Sequence, residues 1–561
     1  MFAIAERVIS LYQRSRNFFN PANDILADCQ SNLSQRIAVI NKQANHPPSS
    51  GHNLAASIGK NTLFGMVSNA TQVGTRLVTV PIVIHHLGLG GYGIWNIIMM
   101  TATYMRFGSV GVKTAFQKYV AEATGNGDYE EANKLLSTGC AVMLVLSVAG
   151  LIPIALFSHQ IAKLAGVPPE FLRSAGGAIS LLALIMVMAN VGAAFESIVM
   201  GGHRIDLVRK FGTVLTIAEA IAIVVALHLG YGLFAMAGVM GASELIYVTC
   251  CYFAAHNVVP QIRVGMAFLT KDVLYELFRF AGSYQLVNLL EVLYNSLLPF
   301  AILRTFGANS AGVYAVVTRV VVSATVLQEA FLPPILSGGT MVFASGSAEK
   351  MQALLTKAFK VTLALSLFPL GFIAVFGTTM AYAWTGQSDP FFRVAFWLVC
   401  LRAIFQSFSL LALVLYRVSG KALLDNVRQI LRILVILAIV AFAHQLGFYG
   451  VLAGMALAEL VGMLFMLFAL THTFHLFRAQ SLLPDAARLT IAAALILGVG
   501  ALASYIPLPS DLGGRLSATL KLVEIGLACL LVAWPSLVRT GAVTRAEGRA
   551  LFGAFLPHRS S

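Results

Sequence analysis

Charge is what this chain has least of. Only 11% of its 561 residues are Asp, Glu, Lys or Arg, against about 25% in an average soluble domain, which is too few to solvate a globule of this size. Cysteine is sparse as well. The six (Cys29, Cys140, Cys250, Cys251, Cys400, Cys529) fall mostly inside apolar stretches, so the sequence holds neither a disulfide framework nor a zinc spacing, and no metal site is expected. The first sixty residues lack an apolar h-region and a small-residue cleavage site, so no secretory signal peptide is expected. Within them, residues Met1 to Phe19 read as either a basic amphipathic helix on a membrane surface or a disordered tail.

What the chain has in abundance is apolar residues, 58% of the total. A helix needs about 20 of them in succession to cross the hydrocarbon core, and about fourteen such windows recur from Asn61 to near Pro535. The expected fold is an all-α polytopic membrane protein. Its basic residues alternate from one inter-window gap to the next. Even-numbered gaps carry Lys113, Lys118, Lys134; Arg204, Arg209, Lys210; Arg263, Lys271, Arg279; Lys350, Lys357, Lys360; Arg417, Lys421, Arg428, Arg432; Arg478, Arg488; and the C-terminal Arg539, Arg545, Arg549 and Arg559. The other gaps hold only Lys163, Arg173, Arg304, Arg393, Arg515 and Lys521. The positive-inside rule then puts both termini in the cytoplasm. The net charge of +14 thus follows topology, and no nucleic-acid partner is expected.

The sequence also repeats itself at an offset of 219. "LGLGGYGIW" (Leu87 to Trp95) matches "FGANSAGVY" (Phe306 to Tyr314), and "GGHRIDLVR" (Gly201 to Arg209) matches "GKALLDNVR" (Gly420 to Arg428). With a small shift, Glu244 and Glu459 also correspond. Six helices per repeat make the two copies parallel, as in alternating-access transporters, with a substrate site between them. The expected organisation is a basic cytoplasmic segment 1–60, an N-lobe 61–256, a cytoplasmic linker 257–278, a C-lobe 279–477, two extra helices 478–538 and a cytoplasmic tail 539–561.

Each lobe opens with a polar stripe at spacing i, i+3, i+7, which is one helical face. In the first lobe it is Asn69, Gln72 and Arg76; in the second it is Asn288, Glu291 and Asn295. A charge at the bilayer centre costs roughly 2.5 to 3.5 kcal/mol on insertion scales, so such groups face a partner or a wet cavity. Both stripes are expected to line a central cavity. The alternative is a buried Arg76–Glu291 ion pair that only fixes how the lobes meet. Arg319 and Arg402 also lie well inside helices, and Arg402 has no carboxylate at helical spacing. Glu244 and Glu459 read as polar glue within each lobe.

"GLGGYG" (Gly88 to Gly93) satisfies a dinucleotide-binding pattern, but that pattern works only between a strand and a helix. Here it is the outer turn between two membrane helices. No gap is long enough for a catalytic domain, and no nucleophile elbow, P-loop or zinc-protease motif is present, so an enzyme is not expected.

The lead helix with "PIVIHHLGLGGYGIW", then "FGSVGVKTAFQKYVAEATGNGDYEEANKLL" and the "GGHRIDLVR" loop resemble the Wzx-type polysaccharide flippases of the multidrug/oligosaccharidyl-lipid/polysaccharide (MOP) exporter superfamily. The resemblance covers about residues 61–477, and the last two helices fit the fourteen-helix members. It implies translocation of an undecaprenyl-diphosphate-linked oligosaccharide across a bacterial inner membrane, for lipopolysaccharide or exopolysaccharide synthesis. It implies basic cavity residues for the anionic diphosphate, here Arg76, Arg319 and Arg402, together with the polar Asn69, Gln72, Asn288 and Asn295. Further partners implied are membrane lipids and the polysaccharide polymerase and chain-length machinery. No cofactor is implied beyond coupling to H⁺ or Na⁺; Glu291 is the expected coupling carboxylate, alternating between Arg76 and a bound proton or ion, although the family has no single invariant carboxylate that maps onto it. Two rival readings are a drug or metabolite cation antiporter of the same superfamily and a non-transporting scaffold for polysaccharide assembly.

Overall fold

A computed structural model describes residues 51–105, 128–202, 204–344, 348–418, 423–474, 479–506 and 513–542. The chain forms two compact units, Met1–Val67 and Ser68–Ser561, and the account below concerns the second. Residues 1–50 of the expected segment 1–60 and residues 543–561 of the expected tail 539–561 lie outside the described residues.

All regular structure among the described residues is helical. In chain order the helices are α1 Gly51–Met105, α2 Tyr129–Leu156, α3 Ser158–Leu164, α4 Pro169–Gly201, α5 Ile205–His228, α6 Leu233–Val258, α7 Lys271–Ala344, α8 Ala348–Thr385, α9 Phe392–Val418, α10 Leu423–Ala441, α11 Ala443–Phe474, α12 Ala479–Ala503 and α13 Gly514–Arg539. Eleven have the length and hydropathy to cross a membrane. Two of these, α1 and α7, are each a pair of segments joined across a glycine of left-handed φ, Gly88 (72°) and Gly307 (82°). Counting each pair as two and adding the 19-residue α10, the described helices supply the fourteen segments expected from hydropathy.

The outward faces are apolar, as lipid requires. On α5, Val214, Ile217, Ile221 and Val225 are exposed at 64, 43, 59 and 51%. Their spacing of three and four residues makes one continuous stripe, a patch that a protein in water would have to cover. Leu516, Leu520, Val523, Leu527 and Leu531 do the same on α13.

The internal repeat is written into the backbone. Gly88 and Gly307 stand 219 residues apart, Gly166 and Gly386 stand 220 apart, and Gly230 and Gly447 stand 217 apart; all six have positive φ, a conformation glycine adopts without steric cost. The two lobes therefore turn at matching places. They also meet there. A Cβ built on Gly93 would lie 2.5 Å from Gly312 N, and one built on Gly312 would lie 2.1 Å from Leu89 O. The repeat-related turns thus touch backbone to backbone, at the end that the charge pattern assigns to the outside.

One element departs from expectation. Arg428 and Arg432, counted above among solvated loop charges, are 3 and 2% exposed. Helix α10 starts at Leu423, so they sit on its second and third turns. Together with Asp425 and Gln429 they follow the spacing i, i+3, i+4, i+7, which turns all four to one interior face. Burial is tolerated because Asp425 Oδ1 pairs with Arg428 Nη2 at 2.8 Å and Glu459 pairs with Arg432.

Candidate functional site

Arg76 on α1 and Arg319 on α7 belong to different lobes, yet they line one pocket. Its volume is about 380 Å³, and its walls include Val73, Leu77, Val320, Met380 and Trp384, with Thr519 and Leu522 from α13. Arg76 precedes Gly88 by twelve residues and Arg319 follows Gly307 by twelve. At 1.5 Å per residue the backbone of each arginine sits about 18 Å along its helix from the glycine at the turn, well inside the membrane-length span. The two cations are close enough to interact electrostatically, and neither forms an ion pair among the described residues. Arg319 lies beside the Tyr92 hydroxyl, but outside good hydrogen-bond geometry, so that oxygen stays unsatisfied. Glu219 on α5 lies within electrostatic reach of Arg76 without forming a salt bridge to it. A largely apolar chamber holding two guanidiniums with no salt-bridge partner is suited to an amphiphile with an anionic head, because guanidinium stays charged and donates bidentately to phosphate or carboxylate oxygens.

A break in the twofold repeat explains why the pocket lies on this side. In the N-lobe, Arg304 Nη1 of the opposite lobe donates to the carbonyl of Leu164, the last residue of α3. The residue 220 positions on is Trp384, and its carbonyl accepts instead from Arg515 Nη2 of α13, at 2.7 Å. One flank is closed lobe to lobe. On the other, the added helix supplies the arginine and lines the pocket.

The second polar centre lies inside the C-lobe. Glu459 on α11 is 0% exposed. Its Oε1 accepts from Arg432 Nη2 at 2.5 Å and from the Tyr294 hydroxyl at 2.9 Å, and Arg402 Nε stands 3.9 Å away. The Arg432 guanidinium carbon lies 3.7 Å over the Tyr294 ring, a cation–π contact. Arg432 Nη1 donates to Gln429 Oε1 at 2.8 Å, and Gln429 Nε2 donates to Glu291 Oε2 at 2.9 Å. Because Arg432 can only donate, it fixes the Gln429 amide so that its NH₂ points at Glu291. A hydrogen-bonded chain therefore runs from the exposed carboxylate Glu291 to the buried Glu459.

Comparisons with known proteins agree with this architecture. Residues 66–208 match the MatE family. The fold is similar to the lipid II flippase MurJ in an inward closed conformation, with a TM-score of 0.64 at 14% identity over 85% of this chain and 99% of that one. It is also similar to an inward-facing multidrug resistance MATE family transporter of the MOP superfamily, with a TM-score of 0.61 at 17% identity over 73 and 94% of the two chains. The chain thus contains a region that matches the MatE model, within a fold shared with these solved structures. Among curated proteins, the uncharacterized membrane protein EpsK of Bacillus subtilis (strain 168) is 22% identical over 320 residues, which are 55% of this chain and 61% of EpsK. The match thus spans about three fifths of the length of that relative.

Of the expected site residues, Asn69, Gln72 and Arg76 fall inside the MatE match. The structure brings Arg76 together with Arg319. It ties Arg402 into the Glu459 cluster, where the carboxylate missing at helical spacing comes from another helix. It places Glu291 on Gln429, so no Arg76–Glu291 ion pair forms in this conformation. Gln72 and Asn295 are half-buried and do not line the arginine pocket; the side chains of Asn69 and Asn288 lie outside those described. Gln429, Arg432 and Trp384 were not anticipated. For the first two, the i, i+3, i+4, i+7 set beginning at Asp425 carried the signal.

Proposed function

We propose that this protein is a lipid-linked oligosaccharide flippase that moves an undecaprenyl-diphosphate-linked glycan across the bacterial inner membrane for polysaccharide synthesis. The observation that supports this reading is the pair of guanidiniums without a salt-bridge partner, Arg76 and Arg319, in a largely apolar pocket between the lobes. The diphosphate sits between the two cations and relieves their repulsion, while the polyprenyl tail lies along apolar wall and lipid. Closure at the Gly93–Gly312 turns, on the side assigned to the periplasm by the positive-inside rule, corresponds to the loading state. Opening there and closing at the opposite end completes alternating access. Glu291 couples the cycle to H⁺ or Na⁺, since about 2.3 kcal/mol per charge is available from each 100 mV of membrane potential.

The test is reconstitution in liposomes with a fluorescent undecaprenyl-diphosphate-linked oligosaccharide in the inner leaflet, scored by its exposure to an external glycosidase. Arg76→Ala and Arg319→Ala are each expected to slow exposure by roughly tenfold to a hundredfold, the worth of a charge-assisted hydrogen bond. Glu291→Gln, which keeps an acceptor for Gln429, is expected to abolish the dependence on an ion gradient; full activity with intact ion dependence would remove Glu291 from coupling. Absence of exposure with the wild-type protein under a gradient would turn the assignment toward a small-molecule antiporter or a scaffold.

A further inference from the structure

Helix α1 carries Pro81 in its interior, four residues after Leu77. In an α-helix the carbonyl of residue i accepts from the N–H of residue i+4, and proline has no N–H. The Leu77 carbonyl is therefore left without its helical donor, and an unpaired backbone group away from water costs about as much as a lost hydrogen bond. Its donor comes from the other lobe: Trp384 Nε1 bonds to Leu77 O at 2.8 Å. Leu77 adjoins Arg76 in the chain, and Leu77, Trp384, Arg76 and Arg319 all line the same pocket. The tryptophan is itself anchored by the bond from Arg515 to its carbonyl. Gly386 makes room for that arginine, since a Cβ there would stand 3.3 Å from Arg515 Cδ on a residue already at φ 74°.

We infer that Trp384 is a positioning residue for the anion site: its indole takes the carbonyl that Pro81 frees and so holds Arg76 of one lobe opposite Arg319 of the other, with Arg515 on α13 holding the main-chain carbonyl of Trp384. Two like charges on facing helices push those helices apart. A neutral strut is the kind of contact that holds them in register without becoming a counterion, and an indole N–H can only donate. The pair of arginines then stays without a salt-bridge partner yet spaced for a ligand. The extra helices acquire a task as well, because α13 occupies the place where the N-lobe uses Arg304. The inference rests on the proposed function for the ligand's anionic character; the hydrogen bond itself does not.

The chain has four tryptophans, so ¹⁵N-labelled full-length protein in nanodiscs shows four indole N–H resonances, and Trp384→Phe identifies the one of interest. That resonance is expected to move in Pro81→Ala, where the new N–H of residue 81 competes for the Leu77 carbonyl. With farnesyl diphosphate as the probe in calorimetry, Trp384→Phe and Pro81→Ala are each expected to weaken binding about two- to tenfold, the worth of one hydrogen bond. The double variant is expected to be no weaker than the poorer single one, since both remove the same contact. An indole resonance unmoved by Pro81→Ala would overturn the strut whatever the binding data. A resonance that moves while both variants bind as wild type, with Arg76→Ala binding weakly, would overturn the positioning role and leave the proposed function standing. Binding indifferent to Arg76→Ala would overturn the anion site and this inference with it.

Discussion

Replacing Glu459 with alanine is expected to destabilise the protein by about 3–5 kcal/mol, the cost of breaking a buried ion pair from one side. Glu459 is fully buried and is the carboxylate that stands within 4 Å of both Arg432 and Arg402. Arg432 is itself 2% exposed, its stem enclosed by Gly462, where a Cβ would lie 3.0 Å from Arg432 Cδ. With no room to turn out to water, it stays charged and unpaired. The Tyr294 hydroxyl loses its acceptor in the same step. Glu459→Gln retains an acceptor oxygen and is expected to cost less. Converting Arg402, Arg432 and Glu459 together to methionine is expected to restore most of the loss, because a well-packed apolar core often equals a buried charge cluster in stability. Thermal unfolding of purified protein in detergent measures all three. Glu459→Ala melting with the wild type would mean that water reaches the guanidiniums, and the cluster would no longer count as lobe-internal glue.

The second large effect is conformational. Gly312→Ala places a methyl group 2.1 Å from Leu89 O, and Gly93→Ala places one 2.5 Å from Gly312 N. Both obstacles are backbone, so no rotamer change relieves the clash and the turns must separate. Overpacking of this kind costs typically 1–3 kcal/mol, which moves a two-state equilibrium by roughly fivefold to over a hundredfold. The penalty falls only on the state in which the turns touch, so the protein is expected to shift toward the state open at this end rather than to unfold. Ala311, 4% exposed beside the contact, provides the reporter. Ala311→Cys is expected to react slowly with a water-soluble maleimide, and much faster when combined with Gly312→Ala or Gly93→Ala. Combining both glycine changes is expected to add little, since they abolish one contact. Equal labelling rates across the series would show that the turns do not form a gate.

Much of the architecture was legible before any coordinates. Hydropathy over about 20 residues is a local property, and it marked fourteen segments because every span in lipid must satisfy its own backbone. The offset of 219 was legible because the turn glycines are constrained residue by residue: Gly88 and Gly307 need positive φ, and Gly93 and Gly312 need to lack a Cβ where the lobes touch. Intramembrane charge likewise singled out Arg76, Arg319, Arg402 and Glu291, since each is costly in lipid wherever it points. The same reading misplaced Arg428 and Arg432, for a helix end rich in basic residues looks like a cytoplasmic loop until Asp425 of the same helix and Glu459 of the facing one are seen to pair with them.

What the sequence by itself determined was a many-helix membrane protein in two related lobes with unusual charges at depth, because helix length, turn geometry and desolvation act on each segment alone. Only the tertiary structure decided which charges meet. Glu291 falls to Gln429 rather than Arg76, Arg402 falls to Glu459, and the carbonyl freed by Pro81 falls to an indole more than three hundred residues away. The first two pairings depend on how helices pack within the C-lobe and the third on how the two lobes meet, and no periodicity within a single helix says which partner stands opposite.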